Sequence, residues 1–173
     1  MLIDHGGIYA DIDTVFIRRF PDELRAHPFV AGRETDLNGE ASVGNAVLAA
    51  EPGAAFTQRW RGAMADALDG WSDHSTILPA RLAAVYPTEL HLEPAVTFYP
   101  FNHRPLDLLR LLQVDEPVPP EAISTHLWEH LWWDEWRTDY STFHAGLVTP
   151  QNIREVDTTF FRLVRPFLPE DAT

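Results

Sequence analysis

Cysteine and lysine are both absent from this 173-residue chain. Without cysteine there is no disulfide and no thiolate metal site, which fits a reducing compartment. Without lysine, all 13 basic residues are arginine, set against 26 acidic ones for a formal net charge of −13. So acidic a chain repels a phosphate backbone, which argues against nucleic acid as a partner. A smaller phosphate-bearing ligand would need a bound cation beside it. No apolar run approaches the roughly 20 residues of a membrane span. No basic segment followed by an apolar one marks a leader either. A cytoplasmic protein with no integral membrane segment is the expectation. The length and the 45% hydrophobic content suit one domain, residues 1–173, with a sizeable core.

Against that background the opening stretch GGIYADIDTVFI, residues 6–17, stands out. Ile8, Tyr9, Val15, Phe16 and Ile17 suit a pleated, buried surface, so the segment reads as a strand entering and leaving a tight turn. In an extended chain residues two apart point the same way, so Asp11 and Asp13 project together. Their charges repel unless a cation sits between them, and a hard divalent ion with oxygen ligands meets that need. Gly6 and Gly7, lacking a Cβ, would let backbone or ligand approach closely.

Further along, RRFPDELRAHP signals a turn with a short helix, and PFVAGRET a strand ending at Gly32. Residues 34–44 read as a polar surface loop. GNAVLAAEPGAAFTQRWRGAMADALDGW is expected to hold two helical pieces split by Pro52-Gly53, with Phe56, Trp60, Met64 and Leu68 on a core face. A short helix is expected around 76–86, a strand at TFYPF, a helix at PLDLLRLLQ, and a proline-rich connection at VDEPVPPE.

Taken with its neighbours, GGIYADIDT resembles the sugar-binding region of D-x-D glycosyltransferases. That family includes capsular-polysaccharide and mannosyltransferase-like enzymes and the related α-1,4-galactosyltransferases. Weaker echoes follow in order: VGNAVLAAEPGAAF, FYPF and STHLWEHLWW, so the resemblance covers residues 3–136. It implies a GT-A-like α/β fold, a mixed sheet with helices, in a hexosyltransferase that takes a sugar from a nucleotide-diphospho-sugar to a saccharide or other hydroxyl acceptor. It also implies retention of configuration and a Mn²⁺ or Mg²⁺ cofactor. Asp11 and Asp13 would be the catalytic and metal-binding pair, with His126 completing the metal site. Gly6, Gly7, Tyr9, Asn45 and Trp128 would be substrate-binding. Family members carry a nucleotide-binding αβ half before the D-x-D strand. This chain starts five residues before its glycines, so the expectation is a GT-A unit incomplete at its N-terminus. Its exposed sheet edge would be prone to self-association or covered by a partner chain.

Several of these residues admit a second reading. His126 is a ligand or a satisfied structural histidine, and His130, four residues on, is the rival ligand. The tryptophans of the segment serve as core or as a sugar-stacking surface. Asn45 faces a sugar or caps a helix. Arg33 could neutralise phosphate or form a salt bridge, and Asp36 and Glu40 could meet acceptor hydroxyls or water. DIDTV also fits the nucleophile motif of haloacid-dehalogenase-like phosphatases, although the lysine and the downstream acidic pair of that chemistry are absent. A glycosidase needs its two carboxylates farther apart than adjacent same-face residues allow. A non-catalytic sugar-binding remnant of the transferase family is the other alternative.

Overall fold

A computed structural model describes residues 1–35, 39, 41–66, 72–133 and 143–172. Asp36, Glu40, Leu68 and Trp136 lie outside the described residues. The chain opens with one turn of helix, α1 (Leu2–His5), followed by β1 (Gly7–Ala10) and β2 (Thr14–Phe16). After α2 (Asp22–Arg25) come two long strands, β3 (Phe29–Thr35) and β4 (Ala41–Ala50). Then follow α3 (Ala55–Ala63), α4 (Leu78–Val85), β5 (His91–Glu93), α5 (Ala95–Phe98) and α6 (Pro105–Leu112). The described chain closes with β6 (Ser124–His126), α7 (Pro150–Glu155) and α8 (Thr159–Val164). Four strands form one sheet in the order β1-β4-β3-β5, and β2 pairs with β6 in a separate ladder. β4 runs antiparallel to β1 and β3, whereas β5 is parallel to β3, so the architecture is α/β with a mixed sheet.

The helix expected at 44–50 is instead the second half of β4. Ala46, Val47 and Ala49 belong to one apolar cluster, and Val43, Leu48 and Ala50 to another on the other side. A strand covered on both faces needs no alternation of apolar and polar residues, and its continuous apolar run looks like a buried helix. Asn45 is therefore a strand residue and caps nothing. The polar stretch 34–44 is likewise not all loop, because β3 continues to Thr35 and β4 begins at Ala41.

Gly32 does not end its strand either; it marks a register shift. Ala31 pairs with Leu48 but Gly32 pairs with Gly44, leaving residues 45–47 of β4 without counterparts on β3. Such a bulge bends the strand and redirects its side chains. FYPF, expected as a strand, follows instead from a helical turn, α5, started after Pro94. That turn puts Tyr99 against both strands. A Cβ on Gly44 would lie 2.4 Å from the Tyr99 ring, and one on Gly32 2.8 Å from it. The Tyr99 hydroxyl accepts from the Val47 amide at 3.2 Å, holding the bulge.

The remaining helical expectations hold: α2, α3, α4 and α6 form where periodicity places them. On α6, Leu108, Leu111 and Leu112 are buried while Leu106 faces water. They join Phe98, Phe101, Trp132, Phe143, Phe160 and Phe161 in the larger cluster. Phe56 and Trp60 of α3 pack into the smaller one, but Met64 is exposed. β1 is an outer strand of its sheet and leaves Ile8 and Tyr9 exposed. No described helix is long and apolar enough to cross a membrane.

Candidate metal centre

Asp11 and Asp13 come together through a turn, not through strand periodicity. The Thr14 amide donates to the Asp11 carbonyl at 3.0 Å, and Ile12 at the tip is fully exposed. The Asp11 amide donates to the Ala46 carbonyl at 2.9 Å, tying the turn to the β4 bulge. Opposite it, β6 pairs antiparallel with β2 so that Thr14 faces His126. The chain after His126 then wraps around Asp13. The Leu127 amide donates to the Asp13 carbonyl at 2.9 Å, and the Glu129 amide to Asp13 Oδ2 at 3.0 Å. His126 Nε2 lies 3.0 Å from Asp13 Oδ1 and 3.8 Å from Asp11 Oδ2.

One backbone feature makes this wrap possible. Trp128 sits in the left-handed region at φ 53°, ψ 41°, the sole non-glycine with positive φ among the described residues. Such a conformation costs on the order of 1–3 kcal/mol and persists where its surroundings over-determine it. Here they do. The Trp128 indole N–H donates to the Phe101 carbonyl at 2.9 Å, and its ring meets the His126 ring edge-on at 4.2 Å between centroids. Trp128 is buried, so its indole forms the wall behind the imidazole.

The carboxylates are electrostatically unequal. Burial pushes the Asp13 carboxyl up, but the His126 hydrogen bond and charge, with the Glu129 amide, outweigh it and hold the group below its ordinary range. The Tyr9 hydroxyl donates to Asp11 Oδ1 at 2.5 Å. That bond, then partial burial and the charges of Asp11 and Asp13, push the Tyr9 phenol up to about 12.

One ligand atom each from Asp11, Asp13 and His126 lies within 4.8 Å of the others. Two carboxylate oxygens and one imidazole nitrogen suit a hard or borderline divalent cation. His126 is buried and its Nδ1 has no partner, so Nε2 is the nitrogen it offers. The group could therefore hold a metal ion. His130, the rival, is exposed at the rim and outside this group.

The three residues lie in a cleft of about 330 Å³. Glu34, Asn45, Ala46, Ser72, Thr76, His103, Trp128, Glu129, His130 and Leu131 complete its lining. Among the described residues four carboxylates and no arginine face it. Asn45 reaches the cleft from the bulge. Gly6 and Gly7 do not line it. Gly6, at φ +63°, turns α1 into β1, where a Cβ would lie 2.7 Å from Pro52 and 2.8 Å from the Ala50 carbonyl. Both glycines adopt a positive φ, a conformation that favours glycine. Arg33, exposed, borders a different groove with Ala80 and Leu90.

Sequence reasoning missed Glu34, Thr76, His103 and Glu129 as cleft residues. Glu34 had a usable signal, since it shares a strand face with Gly32 two positions earlier. Thr76 and His103 had none, because they are far apart in sequence and meet only through packing.

The chain is similar to the protein named Glucan organizing enzyme 1 from Cryptococcus neoformans var. grubii serotype A, at 30% identity over 179 residues. The match covers 96% of this chain and 45% of that protein, so the chain spans less than half the length of this relative. No family model matches the chain, and no solved structure matches it.

Proposed function

We propose that this chain is a metal-dependent hexosyltransferase of GT-A type. It would transfer a sugar from a nucleotide-diphospho-sugar to a saccharide or other hydroxyl acceptor, with retention of configuration, and residues 1–173 would form one domain. The observation that carries this reading is the convergence of Asp11, Asp13 and His126, the histidine 113 residues from Asp13, at one wall of a carboxylate-lined cleft. A relative named for glucan organisation adds support for carbohydrate chemistry.

In this reading Asp11, Asp13 and His126 Nε2 hold Mn²⁺ or Mg²⁺. When bound there, the cation would supply the positive charge that a leaving diphosphate needs, and no described arginine lines the cleft to supply it. The residues around it set the geometry. Tyr9 orients Asp11, the Glu129 amide holds the Asp13 carboxylate and the Leu127 amide its main-chain carbonyl. Asn45 would hold a sugar hydroxyl, and Trp128 and Leu131 would keep water from the reacting carbon.

The test is turnover of UDP-glucose and GDP-mannose by the full chain with Mn²⁺, offered a glycan acceptor and water. Activity that EDTA abolishes, Mn²⁺ restores and Asp13→Ala removes is the expected result. Turnover indifferent to EDTA and to Asp13→Ala would sink the proposal. Metal and sugar binding with no turnover of any donor would instead assign the non-catalytic sugar-binding alternative.

A further inference from the structure

Glu34 is a carboxylate in the cleft with no part in the metal group. Asp11 follows β1 and bonds to Ala46 of β4, whereas Glu34 belongs to β3 on the far side of β4. Two strand spacings, about 10 Å, therefore separate the two backbones across the sheet. Glu34 shares its strand face with Gly32, the face on which Tyr99 packs. The negative charge of Glu34 is one of the influences holding the Tyr99 phenol well above its ordinary range, after burial. Both observations place the carboxylate over the cleft side of the sheet. His103 joins it in the lining, buried, with its ring 5.4 Å from that of Trp128.

The charge of the described cleft residues disfavours phosphate away from a cation. Among the described residues no arginine lines the cleft, and Asp11, Asp13, Glu34 and Glu129 all face it. An anion is tolerable only beside a cation at the aspartates; away from them the field rejects it. A half-buried carboxylate lining the same cleft as an imidazole and an indole suits an uncharged polyol. The carboxylate accepts from vicinal hydroxyls, and the aromatic edge packs against the C–H face of the ring.

We propose that Glu34 and His103 form a sugar-recognition wall, distinct from the metal group, that binds the hydroxyls of an uncharged pyranose. This deepens the glycosyltransferase reading and rests on it for the sugar's source. That source is either the hexosyl group of the donor or the acceptor.

Saturation-transfer NMR on the full chain separates these, using UDP-glucose, GDP-mannose and UDP with diamagnetic Mg²⁺, and methyl α-D-glucoside and methyl α-D-mannoside without it. Mn²⁺ affinity is measured in parallel by calorimetry. Glu34→Gln and Glu34→Ala are expected to cut saturation of the pyranose protons at least about fivefold while Mn²⁺ affinity stays within about twofold, since Glu34 is outside the metal group. Loss confined to the nucleotide-sugars identifies the donor hexose, and loss confined to the glycosides identifies the acceptor. Glu34→Gln keeps the side-chain volume, so it serves where the alanine variant fails to fold. Unchanged pyranose saturation in a folded Glu34 variant, or no saturation of any sugar by the native chain, would overturn the inference. Absence of Mn²⁺ binding by the native chain would instead remove the glycosyltransferase reading, with the wall still judged on the glycosides.

Discussion

Tyr9 and Asp13 report the charge state of the candidate metal centre from outside and inside. Tyr9 is half exposed and its phenol is pushed up to about 12 by its bond to Asp11, partial burial and the paired carboxylates. A folded-state value above the unfolded one, near 10, means its contribution to stability is full below pH 10. That contribution fades as pH rises from 10 through 12. Ultraviolet titration should show a tyrosine transition near 12 that Tyr9→Phe removes and Asp11→Asn moves toward 10. Asp13 runs with the opposite sign. Its folded value is depressed, so its contribution is present above the unfolded value near 4 and is lost as pH falls through the lower folded one. Urea denaturation between pH 2 and 6 should show a stability loss on acidification that is smaller in Asp13→Asn. Loss of an outer partner of a metal ligand costs about 10–100-fold in affinity, so loss of the ligand in Asp13→Ala should cost no less by Mn²⁺ calorimetry.

At the scale of the element, the β4 bulge and α5 act as one device. Two glycines leave room for the Tyr99 ring, whose hydroxyl takes the amide of Val47. The bulge in turn offers its Ala46 carbonyl to Asp11 and its Asn45 side chain to the cleft. Gly44→Ala places a methyl within 2.4 Å of a buried ring that has nowhere to go. The expected loss is about 1–3 kcal/mol in urea denaturation. Tyr99→Phe keeps the ring but strips a buried amide of its acceptor, with a loss of about 1–3 kcal/mol. Both should also weaken Mn²⁺ binding, since Asp11 hangs from the displaced strand. Unchanged stability in Gly44→Ala would show that the ring and strand are not in the contact described.

Over the whole molecule, the Asp11, Asp13 and His126 group joins the N-terminal turn to the β6 segment, two parts that only the folded chain brings together. A ligand bound by the native state alone stabilises it by about 2.7 kcal/mol at ~100 times Kd. Millimolar Mn²⁺ should therefore raise the melting temperature by several degrees, and the shift should vanish in Asp13→Ala. Sodium chloride at matched ionic strength screens the charge of −13 in both proteins alike and separates the general effect from the specific one. Equal shifts in both proteins would place the cation elsewhere.

The primary sequence by itself determined the features carried by short-range chemistry. Asp11 and Asp13 were legible as a pair because their separation is local. The helices α3, α4 and α6 were legible because one exposed face keeps their period visible. His126 was legible as a companion of the aspartates only through its resemblance to a family pattern. Tertiary structure decided the rest. It made a strand of residues 44–50, because burial on two faces erases the alternation by which strands are recognised. It showed that a turn, not strand period, joins the aspartates. It also gave Gly6 and Gly7 their positive φ between α1 and β1 and brought Glu34 and His103 into the cleft. Those outcomes depend on contacts between residues distant in sequence, and local patterns of polarity do not encode which distant residue will lie opposite.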